Sequence, residues 1–228
     1  MTGICPICKE HGVKLIKCKF VQKGKILTVY QCQKCDTRKD IADFIQANLR
    51  KYSVGMIEIV DDYKTCEKIG TKKGANYYKI IRDHLFKIIC KYDASVTTRF
   101  DVRYFYLDSG NPKQKNPAWC VDCCLEIIQS QKSISEQLVS EGLPSVDFRV
   151  CAEYGDAVLT HPDDPEKGDL EGPAVVRCLH MEHCVPKNKF LIGANLYEKV
   201  KNSNNFSFKI KDCSDYFIRD SIYSVVRK

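Results

Sequence analysis

Two pairs of cysteines near the N-terminus constrain this chain more than any other feature of its 228 residues. Each pair has two residues between its thiols, and 23 residues separate the pairs, which are Cys5, Cys8, Cys32 and Cys35. Two thiolates at this spacing can bind one tetrahedral Zn²⁺, and the second pair completes its four ligands. Structural zinc contributes on the order of 10 kcal/mol of apparent free energy to a small core. We therefore predict a structural zinc site at these four cysteines.

The segment between the two pairs has the pattern of a β-hairpin. Strand-like residues 13–20 and 25–30 flank Gln22-Lys23-Gly24, which predicts the turn. Four cysteines around such a hairpin resemble a zinc ribbon. Apolar residues at helical spacing then predict a connecting helix over residues 36–52. We place the zinc ribbon and the start of this linker helix at residues 1–45, and a second domain at residues 46–228.

Most of the chain's positive charge lies in the zinc ribbon. Residues 1–45 carry nine Lys and Arg against four acids, a net charge of +5 out of a total of +7. Lysines on the hairpin could contact nucleic-acid phosphates. However, Phe20 and Tyr30 are a sparse aromatic platform for stacking single-stranded bases. The ribbon is therefore open to three interpretations: nucleic-acid binding, docking to a protein, and a solvated face.

The other cysteines and the hydropathy pattern indicate a soluble, cytoplasmic protein. The N-terminus has no signal-peptide core, and no apolar run reaches the roughly 18–20 residues that span a bilayer. We expect no membrane partner and predict that the thiols stay reduced. Most of the ten cysteines outside the ribbon fall on strands or apolar helix faces, where a thiol acts as a small core residue.

The second domain alternates strands and helices. The order predicts an α+β fold, a ferredoxin-like βαββαβ sandwich with one sheet and helices on one side of it. The helical face of Tyr77, Ile81 and Leu85 belongs to the first helix. We predict strands at 54–60, 95–107 (two strands), 146–151, 156–160 and 190–192, helices at 118–139, 173–184 and 195–201, and a strand and a short helix in the tail 206–228.

Three segments of this domain resemble the catalytic domain of class III nucleotidyl (adenylate and guanylate) cyclases. They are VGMIEIVDDYKTCEKIG at 54–70, VDFRVCAEYGDAVLT at 146–160, and DLEGPAVVRCLHME at 169–182 followed by CVPKNKFLIGANLYEKV. The resemblance covers residues 54–202 and rests on the order and spacing of elements more than on identities. It implies the cyclase fold, a nucleotide ligand and a homodimer or heterodimer formed through this domain.

The resemblance also implies a metal site. In the family, two carboxylates hold Mg²⁺ or Mn²⁺ ions that activate the ribose hydroxyl and neutralise the triphosphate. Glu58 occupies the first carboxylate position, and Asp101 is the nearest match to the second. Glu58 has a longer arm than the family's Asp, which alters the tight geometry that Mg²⁺ requires. Asp61 and Asp62 follow closely and are alternative ligands.

The nucleotide-binding half of the family's site departs further from the pattern. Val176 and His180 stand where the family has the Asn and Arg that orient the ribose and stabilise the transition state. Arg177 could replace the Arg only with a change of register. Asp169 matches the family's base-selecting Asp, and Arg99 lies beside the position of its Lys partner. The resemblance thus implies Asp169, Arg99, Arg177 and His180 as nucleotide-binding residues.

Three functional hypotheses follow. The first is a degenerate regulatory or nucleotide-binding module, a pseudoenzyme of signalling that acts as a dimer. The second is an active, metal-dependent cyclase that converts a nucleoside triphosphate to a cyclic mononucleotide and pyrophosphate. The third is a zinc-ribbon nucleic-acid-binding protein with a structural α+β domain. The sequence leaves the question of enzymatic activity open.

Overall fold

The computed structural model describes most of the chain from residue 49 onward and parts of the N-terminal region. For 3–4, 11–18, 27–32, 38–40, 98–99 and 102–104 the description covers the backbone only. The residues described are 3–4, 8, 11–18, 27–32, 38–40, 49–99, 102–159, 170–213 and 220–228.

The N-terminal region contains a four-stranded antiparallel sheet. Its strands lie in sequence order and are β1 (Gly3–Ile4), β2 (His11–Cys18), β3 (Leu27–Cys32) and β4 (Arg38–Asp40). The predicted hairpin is present as β2 and β3, which pair from Val13 opposite Cys32 to Cys18 opposite Leu27. The helix predicted over 36–52 is wrong at both ends. β4 pairs with β3 at one end, and residues from Arg50 onward belong to a central strand of the next sheet.

The second domain is built on one large mixed sheet. Along the sheet its strands follow the order β11-β12-β10-β8-β5-β7-β6, and β9 pairs with the far end of β8. The strands are β5 (Arg50–Ile59), β6 (Ser95–Arg99), β7 (Val102–Asp108), β8 (Phe148–Leu159), β9 (Leu170–Glu171), β10 (Lys189–Gly193), β11 (Phe206–Lys211) and β12 (Ile222–Arg227).

Four helices connect these strands in the part of the chain that the structure describes. They are α1 (Asp62–Lys91), α2 (Pro117–Ser140), α3 (Pro173–Glu182) and α4 (Ala194–Val200). α1 is interrupted at Gly70, whose φ of 77° is outside the helical range. The core order β5-α1-β6-β7-α2-β8 confirms the predicted βαββαβ unit, and its strands stand in the order β8-β5-β7-β6.

The sheet is buried on both faces, which corrects the prediction of helices on one side only. The larger core cluster joins α1, α2 and α4 to one face, through residues such as Ile57 and Val150. The smaller cluster packs α3 on the opposite face, against Met56 and Cys151. Because successive side chains of a strand point to opposite faces, near-continuous apolar runs in β5 and β8 require cover on both sides.

β8 is one strand of 12 residues and not the two strands predicted for 146–151 and 156–160. Gly155, which lies between the two predicted strands, pairs in register with Tyr52 of β5. An added Cβ at Gly155 would lie 3.4 Å from the Cβ of Ala174. Glycine therefore permits the close approach of α3 to the sheet and makes no turn.

The described part of the C-terminal tail forms two strands, of which one was predicted, and the short helix predicted within 206–228 stays a prediction. β12 pairs antiparallel with both β10 and β11, so its residues extend the central sheet. Pairing to β10 is a tertiary contact that a local pattern of five or six residues does not reveal.

The structure pairs two cysteines, whereas the sequence predicts reduced thiols. Cys184, just after α3, forms a disulfide bond with Cys213, and their Cα atoms are 5.6 Å apart. Other cysteines conform to the prediction of small core residues, since Cys120, Cys123, Cys124, Cys151 and Cys178 are buried. No helix in the described part of the chain is long and apolar enough to cross a membrane.

Candidate functional site

Glu58, the first predicted metal ligand, forms an ion pair with Arg149 on the neighbouring strand. The two residues are directly opposite in the antiparallel pairing of β5 and β8. Nη1 of Arg149 donates to both carboxylate oxygens of Glu58, at 2.9 and 3.2 Å. Both side chains are mostly buried, with 21% and 29% of their surface exposed. Such a partly buried, charge-assisted contact is stronger than a pair in open solvent.

The two alternative ligands after β5 are also held by protein donors. Asp62 is buried and accepts hydrogen bonds from the hydroxyl of Tyr78 at 2.8 Å and the backbone N–H of Tyr63. Burial, together with that hydrogen bond to Asp62, raises the pKa of the Tyr78 hydroxyl. Asp61 pairs with Lys64 at 2.9 Å and Lys187 at 3.6 Å, and the Lys64 hydrogen bond lowers the pKa of its carboxyl.

Asp101, the second predicted metal ligand, lies outside the described residues, as does the side chain of Arg99. The strands around this position are described. β6 ends at Arg99, and Arg103 of β7 pairs with Ile57, the residue before Glu58. The connected end of the β6–β7 hairpin therefore stands at the same end of the sheet as Glu58. The role of Asp101 stays a prediction.

The described residues at this end of the sheet do not fit a divalent metal. Across the described ranges, no group of three or more His, Cys, Asp or Glu side chains could hold a metal ion. Both oxygens of Glu58 accept from Arg149, whose positive charge opposes a second cation.

α3 presents the two positions where the family has its Asn and Arg. Val176 is 48% exposed and Leu179 is 37% exposed, whereas Ala174, Val175, Cys178 and Met181 face the sheet. His180 is half-buried, one helical turn after Val176, so the two share a face. An apolar Val176 offers no hydrogen bond there, which leaves His180 as the polar group of this pair.

Arg177 forms ion pairs with two acids. Its Nε lies 3.0 Å from Oε2 of Glu153, and its Nη2 lies 2.5 Å from Oδ2 of Asp220, which precedes β12. One third of the Arg177 side chain is exposed. The guanidinium therefore ties α3 to the sheet and to the C-terminal segment, and its predicted role in nucleotide binding stays a prediction.

Glu153 is a buried carboxylate that sequence reasoning missed. It is fully buried in β8, and its Oε1 accepts the backbone N–H groups of Tyr154 and Leu196, each at 2.8 Å. A Cβ on Gly193 would lie 2.2 Å from Oε2, so the carboxylate needs glycine at that position. Burial raises the pKa of Glu153, while the two backbone hydrogen bonds and Arg177 oppose the rise.

A signal for Glu153 exists in the sequence. A lone acid after Val150-Cys151-Ala152, in a strand that reads as buried, indicates a paired or hydrogen-bonded charge. The role of Arg149 had no such signal, because its contact with Glu58 depends on the register between two strands far apart in sequence.

The structure describes few side-chain positions for the remaining predicted site residues. Asp169, Cys5 and Cys35 lie outside the described residues, Cys32 is described only as the end of β3, and Cys8 is half-buried in a turn. The zinc site therefore stays a prediction. In α2, burial raises the pKa of the Cys123 and Cys124 thiols, which favours the neutral thiols of a core over metal-binding thiolates.

Comparison with solved structures identifies the fold. The adenylyl cyclase CyaB from P. aeruginosa superposes with a TM-score of 0.67 at 16% identity, covering 79% of this chain and 95% of that chain. This chain has the fold of a class III nucleotidyl cyclase catalytic domain. The guanylate cyclase domain of RhGC from Catenaria anguillulae, solved in complex with GTP, gives a TM-score of 0.66 at 16% identity, covering 78% and 97%.

A third similar structure is the guanylyl cyclase domain of the RhoGC fusion protein from Blastocladiella emersonii, with a TM-score of 0.65 at 17% identity, covering 78% of this chain and 98% of that one. That domain has been solved in dimeric and in monomeric form. No protein-family model matches the sequence, and no curated protein matches it significantly. At these identities the likeness establishes the cyclase-like fold alone.

Proposed function

We propose that the cyclase-like domain is a degenerate nucleotide-binding module that acts as a dimer in signalling and has lost the chemistry of cyclisation. The observation that carries this proposal is the ion pair between Glu58 and Arg149. Metal-dependent attack of a ribose hydroxyl needs carboxylates that are open to divalent cations. Here the carboxylate at the first metal position already has a cation as its partner.

The composition of α3 supports the same proposal. Stabilising the charge that develops on a triphosphate requires positioned donors, and losing one typically costs about 10²–10³ in rate. Val176 provides no donor, and the imidazole of His180 is shorter than an arginine side chain and lacks its fork of five N–H donors. Either His180 or the predicted Asp169 and Arg99 could still contact a bound nucleotide. Binding can thus persist where transition-state stabilisation is lost.

Nucleotide binding without turnover is the test. The full chain is mixed with fluorescent analogues of ATP and GTP in the presence of Mn²⁺, and pyrophosphate release is followed with each of the four nucleoside triphosphates. We expect saturable binding to at least one analogue, no pyrophosphate, and weaker binding for His180→Ala than for the exposed-lysine control Lys189→Ala. Absence of binding contradicts the proposal, and so does turnover that Glu58→Ala abolishes.

Dimerisation has its own test. The exposed apolar residues Val176 and Leu179 on α3 are the proposed contact surface. We expect the wild-type chain to scatter light as a dimer and Leu179→Asp to scatter as a monomer. Val139→Asp is the matched control, because Val139 is an exposed apolar residue on a different helix, α2. A wild-type chain that is strictly monomeric at high concentration contradicts the dimer.

An active cyclase is the second candidate, and one observation favours it. The pairing of Arg103 with Ile57 puts the start of β7 beside the end of β5 that carries Glu58, and Asp101 directly precedes β7 in the sequence. Two acids from these strands would be the donor set of a metal-dependent cyclase. Pyrophosphate release that requires both Glu58 and Asp101 would favour this candidate over the degenerate module.

A further inference from the structure

A cavity of about 390 Å³ lies between β8, α3 and α4. Its wall shares Arg177 with the predicted nucleotide-binding residues but otherwise lies away from Glu58, because it includes Lys51 and Asp156, which pair across β5 and β8. Glu58 is seven residues further along β5, about 23 Å at the rise of a strand. The volume is within the range of roughly 300–1,000 Å³ that small-molecule sites occupy. This cavity therefore has room for a ligand of its own.

The acids on the cavity wall have ion-pair partners, whereas one of its lysines has none among the described residues. Both of its acids have partners: Asp156 pairs with Lys51 at 2.8 Å, and Glu198 pairs with Lys201 at 2.6 Å. Lys199 forms no ion pair with any residue that the structure describes, and its Nζ lies 5.0 Å from the centre of the Tyr154 ring. The positive charge of Lys199 is therefore available to an anion.

Arg177 adds a second cation whose direction is fixed. Arg177 lines the cavity, and its guanidinium forms ion pairs with Glu153 and Asp220. A guanidinium has five N–H donors, more than these two contacts use. The same buried carboxylate of Glu153 accepts the N–H of Leu196 in the first turn of α4, the helix that carries Asn195 and Lys199. Glu153 thus fixes both elements that supply donors to the cavity.

We infer that this cavity binds a small organic anion, a carboxylate or a phosphate monoester, between Lys199 and Arg177. Asn195 supplies a neutral amide donor, and the Tyr154 ring forms an apolar wall for the organic part of the ligand. Fixed donors on two elements bind an oxyanion with little loss of conformational entropy. Because Pro173, Ala174 and Arg177 of α3 belong to the wall, the bound anion also stabilises the position of that helix.

The test is a titration of the ¹⁵N-labelled full chain, without nucleotide or divalent cation, so that it is independent of the proposed nucleotide site. Acetate and inorganic phosphate are added in separate experiments at constant ionic strength, because salt screens exposed charges. We expect saturable shifts of the amide signals of Tyr154, Asn195 and Lys199 with at least one of the two ions. The ion whose shifts saturate at the lower concentration shows whether the cavity prefers a carboxylate or a phosphate.

A matched pair of variants identifies the binding residue. Lys199→Met should raise the dissociation constant about tenfold, because a charged hydrogen bond is lost. Lys189→Met removes an exposed lysine at the opposite end of β10 from Gly193 and should leave the constant unchanged. Equal affinities in wild type and Lys199→Met overturn the inference, as does the absence of saturable shifts with both ions.

Discussion

Nε of Arg177 lies 3.0 Å from Oε2 of Glu153, a carboxylate that is fully buried in the middle of β8. The pair connects α3, which carries the candidate nucleotide-binding residues, to the centre of the sheet. A buried carboxylate without a cation is costly, so each partner depends on the other.

Replacing Arg177 should destabilise the domain. Arg177→Met leaves Glu153 without its cation, and we expect the free energy of unfolding to fall by about 2–3 kcal/mol, at the low end for a buried pair because Arg177 is partly exposed. Urea unfolding measures the change. Arg82→Met is the control, because Arg82 makes an exposed pair with Asp83. Equal losses in the two variants would show that the Glu153 contact has no special role.

The raised pKa of Glu153 predicts a pH-dependent stability. The native protein holds the Glu153 proton more tightly than the unfolded chain, whose ordinary carboxyl pKa is 4.5. Stability from this group is thus complete below that pH and is lost as the pH rises through the native pKa. Glu153→Gln lacks this loss, so the stability of wild type relative to the variant should decrease as the pH rises above about 4.5.

Chemical unfolding at a series of pH values measures this difference. Glu198→Gln is the control, because Glu198 is an exposed acid at the cavity and should change the pH profile little. Parallel profiles for wild type and Glu153→Gln between pH 4.5 and 7 would contradict a raised pKa at Glu153.

Releasing Glu58 from its partner should strengthen its affinity for divalent cations. In Arg149→Met the carboxylate loses a neighbouring positive charge, and we expect Mn²⁺ to bind at least about fivefold more tightly, which corresponds to about 1 kcal/mol. The paramagnetic signal of free Mn²⁺ measures binding. Arg227→Met removes a comparable pair with Asp122, 2.9 Å long and on another part of the surface. The interpretation fails if Mn²⁺ affinity is the same in all three proteins.

The zinc ribbon that the cysteine spacing predicts would hold one Zn²⁺ for each chain. Cys5→Ser and Cys35→Ser should each lower the zinc content measured by elemental analysis, because a tetrahedral structural site needs all four ligands. Cys90→Ser is the control, since Cys90 is an exposed free thiol on α1. Wild-type protein that is purified with zinc in the buffer and contains none would contradict the ribbon.

The disulfide bond predicts a difference in thiol labelling. The denatured chain, with zinc chelated, should take up two fewer alkyl groups before reduction than after, as measured by intact mass. Cys184→Ser should abolish this difference by removing the bond, whereas Cys90→Ser should preserve it. Identical labelling of wild type before and after reduction would mean that Cys184 and Cys213 are both free thiols.

Local patterns predicted the four described helices that accompany the large sheet and most of its strands well, but not the helix expected over 36–52. The apolar face of Tyr77, Ile81 and Leu85 gave α1, and the long apolar stripe after residue 117 gave α2. Errors occurred where a tertiary contact replaced a local signal. Residues 146–151 and 156–160, predicted as two strands, form the single strand β8, where Gly155 accommodates the close approach of α3, and the pairing of β12 with β10 was not predicted.

The candidate site was less predictable, because its contacts join residues far apart in the chain. The resemblance placed Glu58 at a metal position, but only the register of β5 against β8 revealed Arg149 opposite it. Likewise, Arg177 was interpreted as a nucleotide-binding residue from its place beside Val176, and the structure shows that two acids hold it. An ion pair depends on the positions of both partners in the fold, whereas spacing along the sequence relates a residue only to its neighbours in the chain.

The sequence by itself determined the element order of the βαββαβ core, the hairpin between the cysteine pairs and the segments that resemble cyclases, because these depend on local periodicity and spacing. Only the tertiary structure decided that helices cover both faces of the sheet and that Arg149 forms an ion pair with Glu58. It also decided that Glu153 contacts both α3 and α4, the two helices that line the cavity. These features arise from strand register and burial, which bring together charges from distant parts of the chain.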